Sequence, residues 1–222
     1  MKLEEKLVEM VRKARENLKP RRFKQSFEIA IGIKPIQLKR QDLSINEVVR
    51  LPKPLTKKPK VCVFAGGDLA LRASRVGADR VINPEELDSI SANKREARKL
   101  SKAYDFFLAE ATLMPKIGRS LGPFLGPKGK MPTPLPPNAP IENIISNLKS
   151  SVRIRTRGQY CIACKIGEED MKDEDVAKNA LAIINRVEKL LPLELKSIKS
   201  ITIKLSMSQP AKLRLEEVVK AR

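Results

Sequence analysis

The chain has 222 residues, with 45 Lys and Arg against 26 Asp and Glu and no histidine, so its formal net charge is +19. Without histidine there is no usual general base, no usual zinc nitrogen ligand and no Ser-His-Asp or Cys-His arrangement. A hydrophobic fraction of 41% can build real cores and excludes a disordered basic tail.

The excess positive charge draws polyanions. A membrane is the poorer candidate. No apolar run approaches the roughly 20 residues of a spanning helix. Aromatics are only 4%, with no Trp to form an interfacial belt. The N-terminus lacks the apolar core of a signal peptide, so a cytoplasmic location is expected.

Taken in chain order, residues 3–18 place Leu3, Leu7, Met10, Val11, Ala14 and Leu18 at helical spacing, and Pro20 ends that helix. Residues 26–33 alternate, with Phe27, Ile29, Ile31 and Ile33 on one face of a half-buried strand and Ser26, Glu28, Ala30 and Gly32 on the other. Residues 50–60, with three prolines and five basic residues, read as a linker or crossing segment. The apolar run Val61–Ala65, the turn Gly66-Gly67-Asp68, a helix near 68–76 and Arg80-Val81-Ile82 form a βαβ unit with a parallel sheet. A helix over 92–103 and a buried strand over 104–109 follow.

Seven of the sixteen prolines fall between Pro123 and Pro140. They predict an ordered loop or extended chain over most of 115–140. A helix over 141–149 comes next. Residues 151–157 alternate Val152, Ile154 and Thr156 against Arg153, Arg155 and Arg157. Gly158 then turns the chain into a return strand over 160–166, which predicts a hairpin. A helix over 174–191 begins with acids where its dipole favours them. A last strand over 198–207 puts Ile201, Ile203, Leu205 and Met207 inward. Both ends are therefore amphipathic α and antiparallel β, and the middle is parallel α/β. The expected architecture is an α+β domain of residues 1–57 and 151–222, interrupted by an α/β domain of residues 58–150.

Catalytic and cofactor motifs are weak. Cys161-Ile-Ala-Cys164 is a lone CxxC; structural zinc needs four ligands, and two small core residues are the better reading. Gly66-Gly67-Asp68 is neither GxGxxG nor a phosphate loop and reads as a tight turn. No metal and no cofactor are expected. Charge is more informative. Arg12 to Lys24 holds seven basic residues and one acid, and Lys149 to Lys165 holds five and none, whereas Glu168 to Asp175 gathers six acids. Such segregation suggests a phosphate-binding face. Arg153, Arg155 and Arg157 share one strand face, which is unfavourable unless an anion meets them. Phe23, between Arg22 and Lys24, is placed to stack on a base or to fill a core position.

Leu125-Gly126-Pro127-Lys128-Gly129-Lys130-Met131-Pro132 closely resembles the glycine-proline signature, LGPxGxMP, of the ribosomal protein L-one family. Arg22–Glu28 looks like that family's first strand, Gly66–Asp79 like the start of its inserted domain, and Ser206-Met207-Ser208 like its C-terminal Thr-Met-Gly loop. The resemblance implies a Rossmann-like inserted domain and a terminal domain that binds large-subunit ribosomal RNA. It further implies a mobile lateral stalk near the exiting tRNA, and repression of translation through a similar structure in the chain's own mRNA. Carried over by position, Phe23, Ser26, Glu28, Ser206 and Met207 would contact RNA. Arg22, Lys24, Arg153, Arg155, Arg157, Ser208 and Lys212 join them as candidates on the terminal domain. Gly126, Lys128, Gly129 and Lys130 would make a secondary RNA contact or shape a loop. Ser208 and Gln209 replace the family's Gly-Pro, which alters that loop's backbone freedom. A ribosome-bound protein, monomeric away from the ribosome, is expected, not an enzyme. The competing reading, a nucleotide-dependent RNA-modifying enzyme, would need a catalytic constellation that the sequence does not offer.

Overall fold

The computed structural model describes residues 3–16, 18, 21–34, 45–136, 139–156, 158–191 and 197–214. They form two compact units, one of residues 1–56 and 150–222 and one of residues 57–149. The first opens with α1 (Leu3–Glu16), β1 (Ser26–Ile33) and β2 (Asn46–Arg50). The second contains β3 (Val61–Phe64), α2 (Gly67–Arg75), β4 (Arg80–Ile82), α3 (Pro84–Ala92), α4 (Lys94–Ala103) and β5 (Phe106–Glu110). It continues, after a 3-10 turn, through α5 (Met114–Ser120), α6 (Gly122–Leu125), β6 (Thr133–Leu135) and α7 (Ile141–Lys149). The first unit then resumes with β7 (Ser151–Arg155), β8 (Cys161–Glu168), α8 (Asp173–Leu190), β9 (Ile198–Leu205) and β10 (Ala211–Arg214).

In the first unit an antiparallel sheet runs β10-β9-β1-β8. The alternation of β1 is read out directly: Phe27, Ile29, Ile31 and Ile33 are buried and the residues between them are not. They meet Ile201, Ile203 and Leu205 of β9 and the apolar faces of α1 and α8 in one core. Each such fully buried side chain stabilises the fold by roughly 1.5–3 kcal/mol. Both helices of this unit serve that core, so no described helix covers the opposite face of the sheet.

Two expectations fail here. Residues 151–157 do not form a hairpin with the following strand: β7 pairs instead with β2, in a separate two-stranded ribbon. Gly158, at φ +70°, turns the chain away, and β8 joins β1. The strand β2 escaped notice because only Val49 of its five residues is buried. The segment after it, expected to be a linker or crossing segment, is held in place over its first residues. Leu51 and Leu55 are buried, and the fully buried Asn179 of α8 clamps Lys53 on both sides. Its Oδ1 accepts from the Lys53 amide at 2.9 Å, and its Nδ2 donates to the Lys53 carbonyl at 3.0 Å and to the Ile166 carbonyl at 2.9 Å. Finally, β9 ends at Leu205, so Met207 lies in the turn beyond it and is exposed rather than inward.

The second unit is a parallel sheet, β4-β3-β5-β6, buried on both faces, which is why β3 and β5 read as unbroken apolar runs. One core gathers Phe64, Leu87, Leu100, Phe107, Ile117 and Leu121, and the other gathers Val63, Leu69, Leu108, Ile141 and Ile145. The proline-rich stretch is more regular than expected. Pro115 and Pro123 sit in the first turns of α5 and α6, where their missing N–H groups forfeit nothing. Pro134 lies in β6, an edge strand that tolerates it. Pro84 likewise opens α3, a helix not expected from the sequence.

Candidate RNA interface

At the end of the sheet where β1 begins and β9 ends, two turns are bolted together. The Ser26 amide donates to Ser206 Oγ at 3.3 Å, and that hydroxyl lies 3.4 Å from the Ser26 carbonyl. The Met207 amide donates to Gln25 Oε1 at 3.0 Å. Gln25 is only 1% exposed, whereas Phe23 and Met207, the apolar side chains on either side of it, are 53% and 55% exposed. Large apolar groups held out by a rigid backbone are suited to stacking against bases.

Ser208 closes its own turn. The Leu205 amide donates to Ser208 Oγ at 2.9 Å and the Ser208 amide to the Leu205 carbonyl at 3.2 Å. The hydroxyl thus supplies a bond that a glycine at this position could not.

The uncovered sheet face adjoins these turns. Glu28 stands in register with Lys165 of β8 and Lys204 of β9. A carboxylate on a cationic surface is therefore flanked by cations, and opposite charges on neighbouring strands are mutually favourable. Lys165 Nζ also bonds Glu168 at 2.5 Å. Small residues fill the middle of this face, where Ala30 pairs with Ala163 and Thr202. Lys212 of β10 pairs with Thr202 and is exposed at its edge.

Other candidates are placed differently. Arg22 is exposed beside Phe23. Lys24 donates to Asp170 at 2.5 Å, a hydrogen bond that, with the same carboxylate's charge, holds its ammonium above the usual lysine range. Arg153 and Arg155 lie half-buried on the β2–β7 ribbon, not on the sheet that carries Ser26 and Glu28. Arg157 lies outside the described residues. The charge segregation seen along the sequence is partly undone in space. Arg12 faces Asp173 and Glu174, Lys53 faces Asp175, and Arg15 binds Asp173 at 2.9 Å. Arg15 also donates to the carbonyls of Glu169 (2.6 Å) and Met171 (2.7 Å), with its guanidinium 5.2 Å from the Phe27 ring centre. Arg12, Arg15 and Lys24 of the first basic segment therefore meet the acids at and just before the first turn of α8, and the two arginines anchor α1 there. Gln25 and Arg15, the two residues that fix this region, were not singled out from sequence. The available signal was that Gln25 continues the inward series of Phe27, Ile29, Ile31 and Ile33.

The LGPxGxMP segment folds back on its own unit. Gly129 adopts φ +67°, and a Cβ on Gly126 would come within 2.9 Å of the Gly122 carbonyl, so both glycines are required by shape. Lys128 Nζ bonds Ser101 Oγ at 2.5 Å, and Lys130 Nζ bonds the Tyr104 carbonyl at 2.6 Å. These ammonium groups tie the turn to the end of α4, which favours loop shaping over RNA contact.

No cluster of metal-ligating side chains occurs among the described residues. The CxxC is not a pair of core residues: Cys161 is exposed and only Cys164 packs on the core. At the carboxyl ends of β3 and β5, where an α/β enzyme would seat a nucleotide phosphate, Glu110 Oε2 accepts from the Gly66 amide at 3.3 Å. A carboxylate in that position repels phosphate.

Residues 13–209 match the Ribosomal protein L1p/L10e family. The chain belongs to that family. A large ribosomal subunit protein uL1 of Cenarchaeum symbiosum is 45% identical over 210 residues, covering 94% of this chain and 96% of the relative. The uL1 proteins of Archaeoglobus fulgidus and Thermococcus kodakarensis are 44% and 42% identical over 203 and 209 residues, covering 91% and 94% of this chain and 94% and 96% of those relatives. As a member of this ribosomal L1p/L10e family the chain is a ribosomal protein, not an enzyme, and the two-unit α+β and α/β architecture is the fold of that family.

Proposed function

We propose that the chain is a structural constituent of the large ribosomal subunit that binds large-subunit ribosomal RNA directly. The interface is the bolted pair of turns at residues 22–26 and 206–208 together with the adjoining open sheet face. The observation that carries this reading is the Gln25–Met207 hydrogen bond, because it fixes two exposed apolar side chains, Phe23 and Met207, on a cationic surface. Arg and Lys supply affinity that falls with salt, and Phe23, Ser26, Glu28, Ser206 and Met207 supply shape. The family resemblance supports two further roles: a lateral stalk that meets the exiting tRNA, and repression through a similar structure in the chain's own mRNA. Adding the purified chain to large subunits stripped of their own copy tests the first claim. We expect stoichiometric co-sedimentation and protection of one structured RNA segment from chemical probing. Binding spread over many segments would refute it.

A further inference from the structure

We infer that α4 of the second unit is a separate contact for the phosphate backbone of duplex RNA, distinct from the sheet face described above. Arg95, Arg98, Lys99 and Lys102 fall at positions i, i+3, i+4 and i+7, on one face of α4, and all four are exposed. Ala97, Leu100 and Ser101 are buried on the other. Together with Lys94 the four line a shallow groove of about 380 Å³.

Like charges at these spacings weaken a helix by a few tenths of a kcal/mol per pair, so the stripe is unfavourable for folding alone. Three other cations of this unit have carboxylate partners: Arg80 meets Glu86, Lys116 meets Asp88 and Lys130 meets Asp105. None of the five groove cations has a carboxylate within ion-pair distance among the described residues, although α4 itself carries Glu96. The stripe is also partly preset. Asn93 caps the helix by accepting from the Arg95 amide at 3.0 Å, and the Arg98 guanidinium lies 6.0 Å from the Phe124 ring centre. Seven residues of helix span about 10 Å. Roughly two successive phosphates of one strand fall within reach of that length. The spacing therefore suits a row of phosphates.

The test uses the full chain, a 20-base-pair RNA duplex unrelated to the stalk, and the variant Arg95→Gln/Arg98→Gln/Lys99→Gln/Lys102→Gln; Gln keeps helix propensity. We expect the slope of log affinity against log salt to shrink by about 2, and binding at 0.1 M salt to weaken about 100-fold. The pair Lys99→Gln/Lys102→Gln, a milder change should the quadruple variant misfold, should shrink the slope by about 1. Met207→Ala should leave this duplex bound as before, which separates this surface from the sheet face. Unchanged duplex affinity and slope in a folded variant would overturn the inference. So would loss of poly-glutamate binding with duplex binding intact, because the stripe would then fit an acidic protein.

Discussion

The Met207 amide donates to the buried Gln25 side chain at 3.0 Å, joining two turns 182 residues apart in the chain. Neither residue lies in the regular part of a strand, yet the bond sets where Phe23 and Met207 project. We expect Gln25→Ala to cost about 1–3 kcal/mol of stability, because a buried partner is lost. It should also lower affinity for stalk RNA about tenfold without a change of charge. Denaturant unfolding and fluorescence anisotropy on the same preparation would measure both. Intact RNA binding in the variant would show that the bolt is dispensable.

Phe23 and Met207 should behave unlike the arginines. Phe23→Ala or Met207→Ala is expected to weaken stalk RNA by about 1–3 kcal/mol, the range for one stacked base, and to leave the salt slope alone. Arg155→Ala should weaken every RNA and flatten the slope by about one phosphate contact. Parallel salt titrations of the three variants separate the two behaviours.

Glu28 is set between Lys165 and Lys204 in the register of the sheet. A carboxylate there can accept from a base amino group or a ribose hydroxyl. We expect Glu28→Gln to reduce the preference for stalk RNA over unrelated RNA, while raising or sparing affinity for the unrelated one. If the ratio of the two affinities is unchanged, Glu28 serves only to pair with its lysine neighbours.

The thiols offer a pH test. Burial pushes both Cys62 and Cys164 up to about 12, whereas Cys161 is exposed. Raised values in the folded state mean that the stability these thiols contribute is fully present below their unfolded value of about 8.5. It is lost as pH rises towards about 12, because the folded chain then holds protons that the unfolded chain has released. At pH 8 one thiol, removed by Cys161→Ser, should react rapidly with a disulfide reagent and two should react slowly. Three equal rates would contradict the assigned burial.

The strongly periodic elements were legible from sequence. β1 matched its alternation to the residue, and α8 and α1 each came within two residues of their predicted ends. Short elements that depend on a distant partner were not. β2 has one buried residue, and β10 has four residues of which only Leu213 is buried, so neither carries a period. Prolines misled where Pro115 and Pro123 open short helices in a stretch expected to be loop or extended chain. At the candidate interface, the exposed residues could be chosen by type and resemblance. Their fixing by Gln25 and Arg15, and the capture of Lys24 by Asp170, depend on contacts more than 140 residues apart.

The most direct measurement is a salt titration of binding to a large-subunit stalk RNA fragment beside a scrambled RNA of equal length, with the native chain and with Phe23→Ala/Met207→Ala. We expect the native chain to keep its preference for the stalk fragment as salt rises, and the double variant to lose most of that preference with its salt slope unchanged. Equal affinities that collapse together in the native chain, or a preference untouched in the variant, would contradict shape-specific recognition at these turns.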